Sequence, residues 1–110
     1  MITDDEIEKA VAYLRENARK AAQAKAERIY MEEYRKTVKA QVMRETPSDS
    51  LGAQEARAYC DSRYVDHLQT MREAIEKDEY NRWMMVAAQA KVEAWRTQQA
   101  NLRAEGKAYS

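Results

Sequence analysis

From Thr3 to Thr46 the sequence contains neither glycine nor proline. That breaker-free run, rich in Ala, Glu, Lys, Arg and Gln, constrains the chain more than any other feature, because these side chains lose little freedom in a helix. Thr3-Asp4-Asp5-Glu6 reads as a capping box that starts the helix, with Ile2 and Ile7 placed as a hydrophobic staple. Pro47 ends it by driving Thr46 out of helical conformation. Pro47-Ser48-Asp49-Ser50-Leu51-Gly52 is the one turn-rich stretch, and a second unbroken run follows as far as Glu105. The prediction is a single all-α domain over residues 1–110. It has a helix over about 4–45, a connection with a short helix over about 46–61, and a helix over about 62–105 closed by Gly106 at C′. Ser48 or Ser50 can cap the short helix; Asp61 or Ser62 can cap the last one, unless it runs through with a bend. Two long helices of similar length joined by one connection pack most simply as an antiparallel, coiled-coil-like hairpin.

Opposed positions in such a hairpin have a constant sum. Pairing Ile7, Leu14, Ala18, Ala22, Tyr34, Val38 and Val42 in order with Leu102, Ala94, Ala90, Val86, Ile75, Met71 and Leu68 gives sums close to 109. This register sets Trp83 and Val86 toward the first helix, with Trp83 opposite the small Ala26, so that bulk fills space left by small residues. Charge agrees: residues 1–16 carry net −3, 17–44 +5, 45–80 −5 and 81–110 +3, and the hairpin sets opposite blocks side by side.

The run Trp83-Met84-Met85-Val86-Ala87-Ala88 is apolar around nearly the whole helix, and a helix apolar all round is buried all round. With Trp83 turned to the seam, Met84, Ala88 and Trp95 need another partner. Two copies forming a dimeric four-helix bundle supply one. Tyr80, Trp83, Met84, Ala88 and Trp95 are the expected protein-interface residues.

Other constellations are weaker. His67 stands alone, because adjacent Asp66 points about 100° away on a helix. Cys60 has no second cysteine to pair with, which suits a reducing compartment. Glu73, Glu76 and Glu79 share a helix face that in a Mg²⁺-dependent hydrolase would need a second acidic cluster opposite, and the facing stretch is mostly basic. No catalytic, metal or cofactor site is expected. Lys25, Arg28, Arg35, Lys36 and Lys39 lie with Tyr30 and Tyr34 on the first helix, a pattern suited to phosphates and stacked bases. The competing account is that these cations neutralise the acidic half of the last helix. The formal net charge of zero gives no bulk pull toward nucleic acid or anionic lipid. No apolar run reaches the roughly 20 residues of a membrane span, and the acidic N-terminal stretch has no apolar signal-peptide core, so export is not expected.

The stretches Leu51-Gly52-Ala53-Gln54-Glu55-Ala56-Arg57, Tyr64 to Leu68 and Trp95-Arg96-Thr97-Gln98-Gln99-Ala100-Asn101 resemble small helical proteins of unknown function encoded by tailed phages and prophages. The resemblance implies a bacterial host cytoplasm, and a role either in blocking host proteins or in phage recombination and DNA processing. The expectation is a non-enzymatic protein-interaction module, a homodimer that binds a second protein. The alternative is a nucleic-acid-binding accessory protein using the basic stripe.

Overall fold

The computed structural model describes residues 1–109, and it is all-helical: α1 (Asp4–Met43), α2 (Leu51–Cys60) and α3 (Ser62–Tyr109). The capping box forms as expected. The Glu6 amide donates to Thr3 Oγ1 and the Thr3 amide donates to the Glu6 carboxylate, both at 3.2 Å. α1 then runs for 40 residues without a break. Its last turn tightens as Glu45 and Thr46 donate to Val42 and Met43, and Pro47 follows.

Ser50 caps α2, its hydroxyl accepting from the Ala53 amide at 3.2 Å. α2 and α3 are separate helices. Asp61 divides them with an extended ψ of 138°. It serves both: its amide donates to the Ala58 carbonyl, closing α2, and its carboxylate accepts from the Arg63 amide at 2.8 Å, opening α3. α3 continues through Gly106, which stays helical, instead of ending at Glu105. One glycine costs a helix only about 1 kcal/mol, and no proline follows to enforce a stop.

The chain divides into a connection unit, Ala22–Glu79, and a terminal unit, Met1–Ala21 with Tyr80–Ser110. In the connection unit α1 and α3 run antiparallel. Glu45 meets Arg63 near the turn, His67 Nε2 lies 2.7 Å from the Met31 carbonyl, and Arg28 reaches Asp78 and Glu79. Val42 and Ala58 are 1% and 0% exposed there, with Val38 and Tyr64 also buried. In the terminal unit, Ile2 pairs with Gln98 and Ala10 is buried.

Buried and half-buried positions recur at alternating spacings of three and four. On α1 they include Ile7, Ala10, Leu14, Asn17, Ala21, Ala24, Arg28 and Met31. On α3 they include Met71, Ala74, Asp78, Asn81, Met85, Ala88, Val92 and Trp95. This is the heptad spacing of a coiled coil. It corrects the stripe read from the sequence. Ile7, Leu14, Val38, Val42, Leu68, Met71 and Ile75 do face inward, but Ala18, Ala22, Tyr34, Val86, Ala90, Ala94 and Leu102 are exposed. The register differs too, since Gln98 lies nine positions before the residue that a sum of 109 sets opposite Ile2. The seam accepts Asn17, Arg28, Asp78 and Asn81, so matching apolar residue to apolar residue selects the wrong alignment.

Candidate interaction surface

In the terminal unit, one side of α3 is committed to α1 and the opposite side is open. Asn81, Met85, Ala88, Val92 and Trp95 follow the inward spacing, and Asn81 is only 3% exposed. Tyr80, Trp83, Ala87, Ala90 and Ala94 repeat that same three–four spacing on the far side. Tyr80 is 62% exposed and Trp83 57%, with Met84 and Val86 on the flanks of the stripe also exposed. The Arg82 guanidinium lies 4.9 Å from the Trp83 ring centroid and covers one face of the indole.

Of the five interface residues expected from the sequence, Tyr80, Trp83 and Met84 are exposed together. Ala88 and Trp95 are not on that face; they are half-buried on the inward spacing. The two tryptophans therefore exchange the roles that the sequence suggested. Ala26, expected to lie under Trp83, is itself exposed. The physical cause is the heptad phase. Trp83 falls two residues after the inward Asn81, about 200° around the helix, whereas Trp95 falls on the stripe. Among the described residues, the buried Trp95 indole N–H meets no acceptor. Sequence reasoning missed Ala87, Ala90 and Ala94 as outer-face residues; their spacing from Trp83 was the available signal.

The basic residues lie in the connection unit and are largely engaged. Arg28 donates to Glu32, Asp78 and Glu79, all at 3.1 Å. The bond to Glu32 is the foremost cause holding its guanidinium above the ordinary pKa. Lys36 pairs with Glu33 on its own helix. Lys39 donates to Tyr59 Oη at 2.8 Å and Glu55 at 3.4 Å, and the tyrosine bond raises its ammonium pKa. Lys25 and Arg35 are exposed. Arg35, Lys36, Lys39, Tyr59 and Tyr64 line an open cleft of about 290 Å³. Tyr30 stacks on Tyr34 at 5.7 Å, and Tyr34 leans on His67 at 5.6 Å.

Three further sequence candidates find plain surroundings. His67 Nε2 can donate to the Met31 carbonyl, a packing contact between helices. Cys60 is an exposed free thiol at the end of α2. Glu73 and Glu76 point to solvent while Glu79 is held by Arg28. Among the described residues, no three His, Cys, Asp or Glu side chains gather as a metal site, and no helix is long and apolar enough to cross a membrane. The chain matches no protein-family model, and comparison with curated proteins and with solved structures finds no match.

Proposed function

We propose that this chain is a non-enzymatic protein-interaction module of the bacterial cytoplasm, of the small phage-encoded kind. In this reading it acts as a helical-hairpin homodimer and binds one further protein. The observation that carries the reading is the second apolar stripe on α3, where Tyr80, Trp83 and Met84 stand exposed beside Val86 and Ala87. Large exposed aromatics next to small residues on one helix face suit the docking of another helix. Light scattering at micromolar concentration tests self-association; a species near 12.8 kDa at every concentration defeats it.

A second reading is a nucleic-acid accessory role through Lys25, Arg28, Arg35, Lys36 and Lys39. It is favoured by the Tyr30–Tyr34 stack beside exposed Arg35. It is weakened because Arg28, Lys36 and Lys39 are already bound to carboxylates. Titrating labelled single- and double-stranded DNA at about 50 mM salt separates the readings, since phosphate neutralisation makes affinity fall steeply with salt.

A further inference from the structure

We infer that two copies associate α3 against α3, antiparallel, with Ala87 of each copy at the two-fold axis. The inference rests on the interaction-module reading and specifies who occupies its exposed face and how.

The outer stripe has a direction. Tyr80 and Trp83 stand at its start, and Ala87, Ala90 and Ala94 complete it. A two-fold interface must be complementary to itself, because each residue i that touches j is matched by a j that touches i. Reversing a second copy about Ala87 sets Tyr80 of one chain opposite Ala94 of the other, and Trp83 opposite Ala90 and Lys91. The bulky half of each helix then covers the small half of its mate, and Ala87 at the centre lets the axes approach to about 8 Å, the near end of helix packing distances. A parallel pair stacks Trp83 on Trp83 and Tyr80 on Tyr80, which holds the axes apart and leaves the alanines uncovered. Lys91 of one copy reaches Trp83 of the other, whose ring carries Arg82 on one face only. Glu93, at the edge of the stripe, is already paired with Arg96 at 3.1 Å, so it does not enter the contact as a bare charge.

Area points the same way. The chain exposes 8235 Å². A folded monomer of 12.8 kDa ordinarily exposes about 6300 Å². The excess is more than the roughly 800 Å² per partner of a standard stable interface. Among the described residues the buried apolar ones are Ala10, Ala24, Val38, Val42, Ala58 and Tyr64, and three of these are alanines. So thin a core is the kind that oligomerisation completes.

Cysteine cross-linking tests the geometry in the full chain, with exposed Cys60 replaced by serine. Ala87→Cys on mild oxidation is expected to run mainly as a disulfide-linked dimer. Ala94→Cys alone stays uncross-linked, while a mixture of Tyr80→Cys and Ala94→Cys chains gives the heterologous pair. Self-cross-linking of Ala94→Cys as efficient as that of Ala87→Cys indicates a parallel dimer and overturns the inference. A wild-type dimer by sedimentation with no Ala87→Cys cross-link overturns it while leaving self-association intact. A wild-type monomer at all concentrations overturns both. Ala90→Glu provides a second reading, with dissociation to monomer and unchanged helix content expected. Retention of the dimer in that variant counts against the α3–α3 contact.

Discussion

The side-chain amide of Gln98 holds both polar groups of the Ile2 backbone: its Oε1 accepts from the Ile2 N–H and its Nε2 donates to the Ile2 carbonyl, each at 3.0 Å. Ile2 lies just before the capping box, so this pair pins the start of α1 to α3. Gln98→Ala should cost about 1–2 kcal/mol for two partly buried hydrogen bonds, and should speed amide exchange in the first turns of α1. Exposed Gln89→Ala is the control. Equal denaturation midpoints for the two variants would show that the pin contributes nothing.

Trp95 and Trp83 should report on different equilibria. Trp95→Ala empties half-buried space on the inward stripe and should destabilise at every protein concentration, by about 2–4 kcal/mol. Trp83→Ala removes an exposed ring and should lower the melting temperature mainly where association matters. Melts at low and high concentration distinguish them, and a concentration-independent loss for Trp83→Ala would contradict its outward placement.

Arg28 pairs at 3.1 Å with Asp78, which is 7% exposed. Removing it leaves a buried carboxylate short of its partner, the costly half of a buried ion pair. Arg28→Ala should therefore lower the denaturation midpoint more than Lys36→Ala, whose partner Glu33 is solvated. The double variant Arg28→Leu with Asp78→Leu should recover most of the loss. A double variant weaker than Arg28→Ala alone would mean that the polar layer itself, not the stranded charge, matters.

The Asp61 junction gives a pH dependence. Hydrogen bonds from the Arg63 guanidinium and then from the Arg63 amide depress the Asp61 carboxyl from 3.8 to about 2. Arg63 also lowers the Glu45 carboxyl by hydrogen bonding. A depressed folded-state pKa contributes stability present above the unfolded value and lost as pH falls through the folded one. Stability should fall as pH drops from about 4 toward 2, and Asp61→Asn should remove much of that dependence. An unchanged acid transition in the variant would assign it to other carboxylates.

Gly52 sits in α2 without positive φ, and a Cβ there meets nothing within 4 Å. Gly52→Ala should stabilise by about 0.4–1 kcal/mol, through a smaller unfolded ensemble and better helix propensity. A lower melting temperature would reveal a conformational demand on the glycine.

Helix number, the capping box and the turn at Pro47 were legible because each depends on neighbours in sequence, whereas the cap of α2 was legible only as Ser48 or Ser50. The division at Asp61 was legible only as one of two options, since its carboxylate can cap or remain solvated within a continuous helix. The facing of α3 beyond Tyr80 was not legible. The run Trp83 to Ala88 is apolar all round, so hydrophobicity there carries no phase, and the phase comes from buried Asn81 and Asp78, which an apolar template rejects. For the basic stripe, the sequence already suggested neutralisation within the chain, but Arg28 finds Asp78 rather than the residue that the 109 rule assigns.

The alternation of three and four along both long helices makes length a quantised property of this protein. Removing seven residues from α1 within the terminal unit, for instance Val11–Asn17, restores the phase of every inward side chain beyond the cut, provided that α3 loses seven at the level that faces it. Removing five or six turns each following side chain to the wrong side. Natural or designed variants of different reach should therefore differ by paired multiples of seven, and single-residue insertions should be tolerated at Pro47–Asp49 and nowhere in the middle of α1 or α3.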